Sequence, residues 1–305
     1  MSRLLTLFMI LASGLSAQER LSPELLWKLG RVSGGQISPD GAQVLYSVRR
    51  YELSKNSGDS DLYVVPLEGG DARRLTSGPE SESEAQWVQT PRGLRIYFLS
   101  RRAGQEATQA WSLDPATGDL LQVTDLAGGI ANLKVAPGGR RMAFTVDVKL
   151  DATVPELFAD LPQADARIID GLMYRHWNAW HDYAYSHLHV AAIGDDGHAA
   201  AATDLMRNLR VDCPVPPFSG SEQIAWSPDG EWIAYTMKMA ADWAQSTDSD
   251  VYLSRWDGSG ERRCVSEANT GYDNDPSFSP DGTKLAWHSM ERAGFESDRN
   301  RIMVL

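Results

Sequence analysis

The side chains with chemical reach are unevenly spread along this chain of 305 residues. Five of its six histidines, His176, His181, His187, His189 and His198, fall in one stretch, with His288 apart. His187 and His189 alternate onto one face of a predicted strand and offer two corners of a metal site. No cysteine or carboxylate stands beside them at ligand spacing, so ordinary strand and loop histidines fit better, and neither a metal nor a cofactor is expected. The segment Tyr174-Arg175-His176-Trp177-Asn178-Ala179-Trp180-His181 packs two tryptophans, a tyrosine, an arginine and two histidines into eight residues. Such a segment offers stacking and hydrogen bonding to a ligand, although a loop packing its own aromatics is the competing reading. Carboxylates recur before two predicted strands, as Glu80, Glu82 and Glu84 and again as Asp273 and Asp275. Paired carboxylates facing a channel suit a substrate ammonium, whereas solvated loop charge explains them more simply. The substrate-facing candidates are therefore Tyr174, Arg175, His176, Trp177, Trp180, Glu82 and Glu84.

A nucleophile is harder to find. The serine elbow Gly-x-Ser-x-Gly does not occur, and Gly14-Leu15-Ser16 fails at its last position. The phosphate-loop, dinucleotide and HExxH patterns are missing too. No catalytic residue is expected in this chain. A net charge of −12 without a basic run argues against nucleic acid or an anionic membrane as partner.

The elements that position these residues are set by a repeated turn. Ser-Pro-Asp-Gly occurs at 38–41, 227–230 and 279–282, with weaker copies Thr90-Pro91-Arg92-Gly93 and Ala136-Pro137-Gly138-Gly139. Each joins two apolar runs. The serine or threonine bonds the backbone ahead, proline presets a type I turn, and glycine takes the left-handed position, as in a short β-hairpin. The prolines at 39, 91, 137, 228 and 280 are separated by 52, 46, 91 and 52 residues. A period near 50 marks a propeller-type array. Each unit predicts four antiparallel strands, the pattern of a propeller blade. The second strand of each unit, such as Ile96-Tyr97-Phe98-Leu99, has no polar face. Radial stacking between two neighbours demands that, and a β-sandwich would alternate more cleanly.

The predicted fold class is thus all-β, a partial β-propeller of four-stranded antiparallel blades with about four and a half blades over residues 18–305. The long step is read as an insertion at 149–185 within the third blade, with helix signals around Pro155–Leu161. A structureless loop of that length inside a compact domain is usually functional. Ser22 to Gly30 predicts a capped helix packing through Leu25, Leu26 and Leu29. The fifth unit lacks a fourth strand, which predicts a truncated ring. Arg3, the apolar run Leu4–Ala12 and small residues up to Ala17 predict a signal peptide over 1–17, hence an exported protein, periplasmic or secreted. Cys213 and Cys264 are the only cysteines, and the sequence leaves open whether they pair.

Three features together, the opening Leu25-Leu26-Trp27-Lys28-Leu29-Gly30-Arg31-Val32-Ser33, the Ser-Pro-Asp-Gly hairpins and above all Leu172-Met173-Tyr174-Arg175-His176-Trp177 with Trp180, resemble the N-terminal propeller of prolyl oligopeptidase family serine peptidases. The likeness is to the dipeptidyl-peptidase V and acylaminoacyl-peptidase types and covers roughly residues 20–305. It implies a propeller set over a C-terminal α/β-hydrolase domain that carries the Ser-Asp-His triad, with short peptides as substrates reached through that domain. The hydrolase is absent here, so no catalytic residue carries over, and the expected role is gating and positioning of substrate. A TolB-like periplasmic binding propeller is the alternative, because such proteins also carry Ser-Pro-Asp-Gly.

Overall fold

In the computed structural model, residues 20–102, 104–218, 220–239 and 244–305 are described; the leader predicted over 1–17 lies outside them. Among the described residues, a helix, α1 (Pro23–Lys28), precedes five antiparallel sheets of three or four strands and one small two-stranded sheet. Blade 1 holds β1 (Arg31–Ile37), β2 (Gln43–Glu52), β3 (Ser57–Pro66) and β4 (Arg73–Arg74). Blade 2 holds β5 (Glu82–Thr90), β6 (Gly93–Ser100), β7 (Gln109–Leu113) and β8 (Leu120–Gln122). Blade 3 begins with β9 (Ala131–Val135) and β10 (Arg141–Lys149). The one-turn helix α2 (Val154–Leu157) and the small hairpin β11 (Arg175–His176) and β12 (Ala179–Trp180) follow. The blade then resumes with β13 (Ala184–Ala192) and β14 (Thr203–Asp204). Blade 4 holds β15 (Ile224–Trp226), β16 (Trp232–Met237), β17 (Asp250–Arg255) and β18 (Arg263–Cys264), and blade 5 holds β19 (Asp273–Phe278), β20 (Leu285–Ser289) and β21 (Arg301–Val304). This is the predicted partial propeller, with its insertion between the second and third strands of blade 3.

The two dry faces of each second strand explain the stacking. On β6, Ile96 and Phe98 join Leu45 and Leu62 of blade 1, while Tyr97 and Leu99 join Met142 and Phe144 of blade 3. On β16, Ile233 and Tyr235 meet Leu188 and Val190 of blade 3, while Ala234 meets Leu285 and Trp287 of blade 5. Alternate residues of one strand thus bury against opposite neighbours, and each of the four joints owns a separate apolar core.

The turns close as expected, and their aspartates do more than tolerate the turn. Ser38, Ser227 and Ser279 each accept at Oγ from the backbone N–H five residues on and donate to the aspartate two residues on. Asp40, Asp229 and Asp281 in turn accept from the N–H two residues further along. The hydrogen bond from Ser279, with that from the Thr283 backbone, holds the Asp281 carboxyl down at about 2. Gly139, at φ 64°, packs so tightly on blade 2 that a Cβ there would lie 2.5 Å from Thr90 Cγ2.

A second clasp recurs at the blade ends. The N–H groups of Leu62, Ala110 and Val251 donate to Thr76, Thr124 and Ser266 hydroxyls at 2.9, 2.9 and 3.0 Å. Those hydroxyls donate to Glu82, Gln109 and Asp250 at 2.7, 2.8 and 2.7 Å. In blade 3 the Met206 sulfur takes the hydroxyl's place and accepts from Leu188 N at 3.2 Å.

α1 is capped by Ser22, whose Oγ accepts from Leu25 N at 3.2 Å. Its expected packing through Leu25, Leu26 and Leu29 is reduced to a half-buried Leu25: the helix fully buries no residue, and Leu26 and Leu29 are 45% and 48% exposed. Trp27 instead lies edge-on to Tyr51, with Arg31 over both rings. Cys213 and Cys264 are free thiols, and burial pushes the Cys213 thiol far up. No described helix is long and apolar enough to cross a membrane.

Candidate functional site

The insertion is built from short local locks rather than a core of its own. Glu156 reaches back to Thr153 N at 2.8 Å and pairs with Lys149, which holds its carboxyl at about 2. Arg167 forks onto Asp182 at 2.5 and 2.6 Å and lies 4.7 Å over the Trp180 ring. Trp180 stacks on Tyr174 with centroids 5.8 Å apart. β11 and β12 pair Arg175 with Trp180 and His176 with Ala179, so Trp177 and Asn178 form the tip. Trp177 turns the chain at φ 45° and is 68% exposed. Its ring is edge-on to His176 at 5.1 Å and to Phe218 at 5.9 Å.

A cleft of about 1010 Å³ opens beside this tip. The insertion supplies Met173, His176 and Trp177, and the segment linking blades 3 and 4 supplies Arg210, Asp212 and Phe218. Blade 4 adds Lys238 and Met239, and blade 5 adds Tyr272, Asn274 and Met290. A second hollow, of about 400 Å³, is lined by Tyr174, Trp180, Arg167 and Asp151.

Two histidine–aspartate contacts brace the linking segment. His181 meets Asp212 at 3.2 Å, and Asp212 also accepts from Ser186 N at 2.8 Å. The hydrogen bond to Asp212 holds the His181 imidazolium above its ordinary range. His187, fully buried, meets Asp204 at 3.0 Å through Nδ1 and the Leu209 carbonyl at 2.8 Å through Nε2. Burial works against its charge, but these two acceptors outweigh it and raise the group. Both nitrogens of His187 are thereby occupied, and His189 stacks on Phe144 instead of turning toward a shared ligand. Among the described residues no three His, Cys, Asp or Glu side chains are grouped to hold a metal.

Of the residues singled out in the sequence, His176 and Trp177 line the large cleft, and Tyr174 and Trp180 line the smaller hollow. Arg175 is exposed and lines neither. Glu82 and Glu84 stand away from both. Glu82 is buried, accepting from Arg102 and Thr76 at 2.7 Å each, and burial pushes its carboxyl up to about 7. Glu84 sits at a left-handed kink of β5 and ties blade 2 to blade 3 by accepting from Leu133 N at 2.5 Å. Asp273 is buried against the Trp287 indole, and Asp275 contacts His288. Phe218, Met239, Tyr272, Asn274 and Met290 escaped the sequence reading, because they come from separate stretches of the chain and carry no local pattern.

The third blade of this propeller carries an aromatic insertion beside a cleft. The chain resembles the propeller portion of peptidases of the dipeptidyl-peptidase 5 type. Its sequence is similar to dipeptidyl-peptidase 5 of Porphyromonas gingivalis, 35% identical over 295 residues that cover 96% of this chain and 42% of that protein. The chain thus spans about two fifths of the length of that curated relative. Acylaminoacyl peptidase of Pyrococcus horikoshii shares the fold with a TM-score of 0.63 at 14% identity, over 90% of this chain and 38% of that one. The β-propeller domain of the Trilobed protease of Pyrococcus furiosus does so with a TM-score of 0.55 at 11% identity, over 91% and 69%. No family model matches the chain.

Proposed function

We propose that this chain is the non-catalytic, peptide-gating propeller of an exported dipeptidyl-peptidase-type serine exopeptidase, in which a hydrolase domain cleaves the peptide. The observation that carries the reading is the cleft of about 1010 Å³ walled by His176, Trp177 and Phe218 on one side and by blades 4 and 5 on the other. Ligand clefts typically run to about 1,000 Å³, with apolar walls and a few polar groups. Exposed aromatics at the rim offer peptide side chains stacking area at low entropic cost. Export rests on the leader pattern at the N-terminus.

The test is direct binding of short peptides to the chain, followed by tryptophan fluorescence. The dipeptide Ala-Phe-amide is expected to bind, and Trp177→Ala to weaken it about tenfold, the loss of roughly one aromatic contact. Peptide binding that is untouched by Trp177→Ala, or absent altogether, overturns the reading.

A further inference from the structure

Among the described residues that line the cleft, Asn274 carries a buried acceptor oxygen without a hydrogen-bond partner. Asn274, on β19, is only 9% exposed, lines the cleft, and its Oδ1 has no hydrogen-bond partner. Buried side-chain acceptors are nearly always satisfied, because stripping one of water without replacement is unfavourable. The residue is otherwise well held: β19 pairs it with His288 of β20. Its amide also lies near enough to the Tyr272 hydroxyl to oppose the rise that burial imposes on that phenol. Asp275 and Glu222 push the same phenol further up. A buried acceptor in a cleft that Met239, Met290 and Phe218 also line selects a hydrogen-bond donor carried on an apolar body.

We propose that Asn274 Oδ1 accepts an N–H group of a peptide bound in the cleft, and that Asn274 with Tyr272 forms a polar reading point in an otherwise apolar wall. The proposal rests on the peptide-binding reading above. The donor is either the peptide's amino terminus or its internal amide; both present N–H to the same oxygen. An ester oxygen at that place sets two acceptors face to face and is rejected.

The experiment measures binding of Ala-Phe-amide, its N-acetyl derivative and its ester analogue lacking the internal N–H. The proteins compared are the wild-type chain, Asn274→Leu and the near-isosteric Asn274→Asp, each checked for native circular dichroism. Asn274→Leu is expected to weaken Ala-Phe-amide about tenfold. If the amino terminus is the donor, acetylation costs the wild type a similar factor and Asn274→Asp binds the free amine more tightly. If the internal amide is the donor, the ester analogue loses that factor and acetylation does not. A folded Asn274→Leu, or Asn274→Asp if the leucine variant does not fold, that binds all three ligands as the wild type does overturns the proposal and leaves peptide binding intact. Failure of the wild type to bind any peptide overturns both.

Discussion

Replacing Thr76 by valine removes one hydroxyl at nearly constant volume. That hydroxyl is buried, accepts from Leu62 N at 2.9 Å and donates to Glu82 at 2.7 Å across the joint between blades 1 and 2. Thr76→Val therefore strands a buried amide and takes one partner from a buried carboxylate, at a cost of about 2–3 kcal/mol. That is a large share of the ~5–15 kcal/mol that holds a typical domain folded. The cost also depends on pH. Burial lifts the Glu82 carboxyl from 4.5 to about 7, against the pull of Thr76 and Arg102. A carboxyl raised in the folded state binds its proton more tightly there, so its contribution is fullest below pH 4.5 and falls as pH rises toward 7. Removing the Thr76 hydroxyl raises the folded value further and extends that fall above neutrality. Urea unfolding followed by tryptophan fluorescence is expected to show a larger deficit for Thr76→Val at pH 8 than at pH 5. A variant within about 0.5 kcal/mol of wild type at pH 8, or one that loses more at pH 5, refutes the reasoning.

Other perturbations follow from the same geometry. His187 is satisfied on both nitrogens only as imidazolium, so its contribution is complete below 6.5 and lost as pH rises through its higher folded value; NMR titration of its ring should find it above 6.5, and His187→Gln should flatten the loss of stability on the alkaline side. Arg141 donates to Gly230 O and Glu231 at 2.6 and 2.7 Å and lies 4.3 Å over Trp256, so Arg141→Lys, which keeps the charge but loses the planar stack, should cost about 1 kcal/mol in thermal unfolding. Trp177→Ala should leave unfolding within about 0.5 kcal/mol of wild type, since the ring is largely exposed, while it weakens peptide binding; equal loss of both would assign Trp177 to packing.

The fold was legible because its repeat writes itself into local signals. Proline and glycine punctuate each hairpin, and two-faced strands such as Ile96–Leu99 announce neighbours on both sides. The 91-residue step located the insertion between β10 and β13. The cleft was legible only where its wall is local: Trp177 and His176 sit in one conspicuous segment. The far wall was not, since Phe218, Met239, Asn274 and Met290 meet only once blades 3, 4 and 5 stack. Glu82 and Glu84 misled for a related reason. Their spacing says nothing of Thr76, Arg102 or Leu133 N, the partners that occupy them. Of the leucines at α1 only Leu25 is half-buried, and Trp27, Tyr51 and Arg31 form the ring contacts there.

The insertion leaves and re-enters blade 3 at the same end of one ladder, where Lys149 faces Ala184 and Asp147 faces Ser186. Changing the length of such an excursion costs mainly loop-closure entropy, about 0.6 kcal/mol for each doubling, and disturbs no joint between blades. The wall of the cleft is therefore a replaceable part on a fixed chassis. Its length and sequence can change while the apolar joints between blades stay as they are.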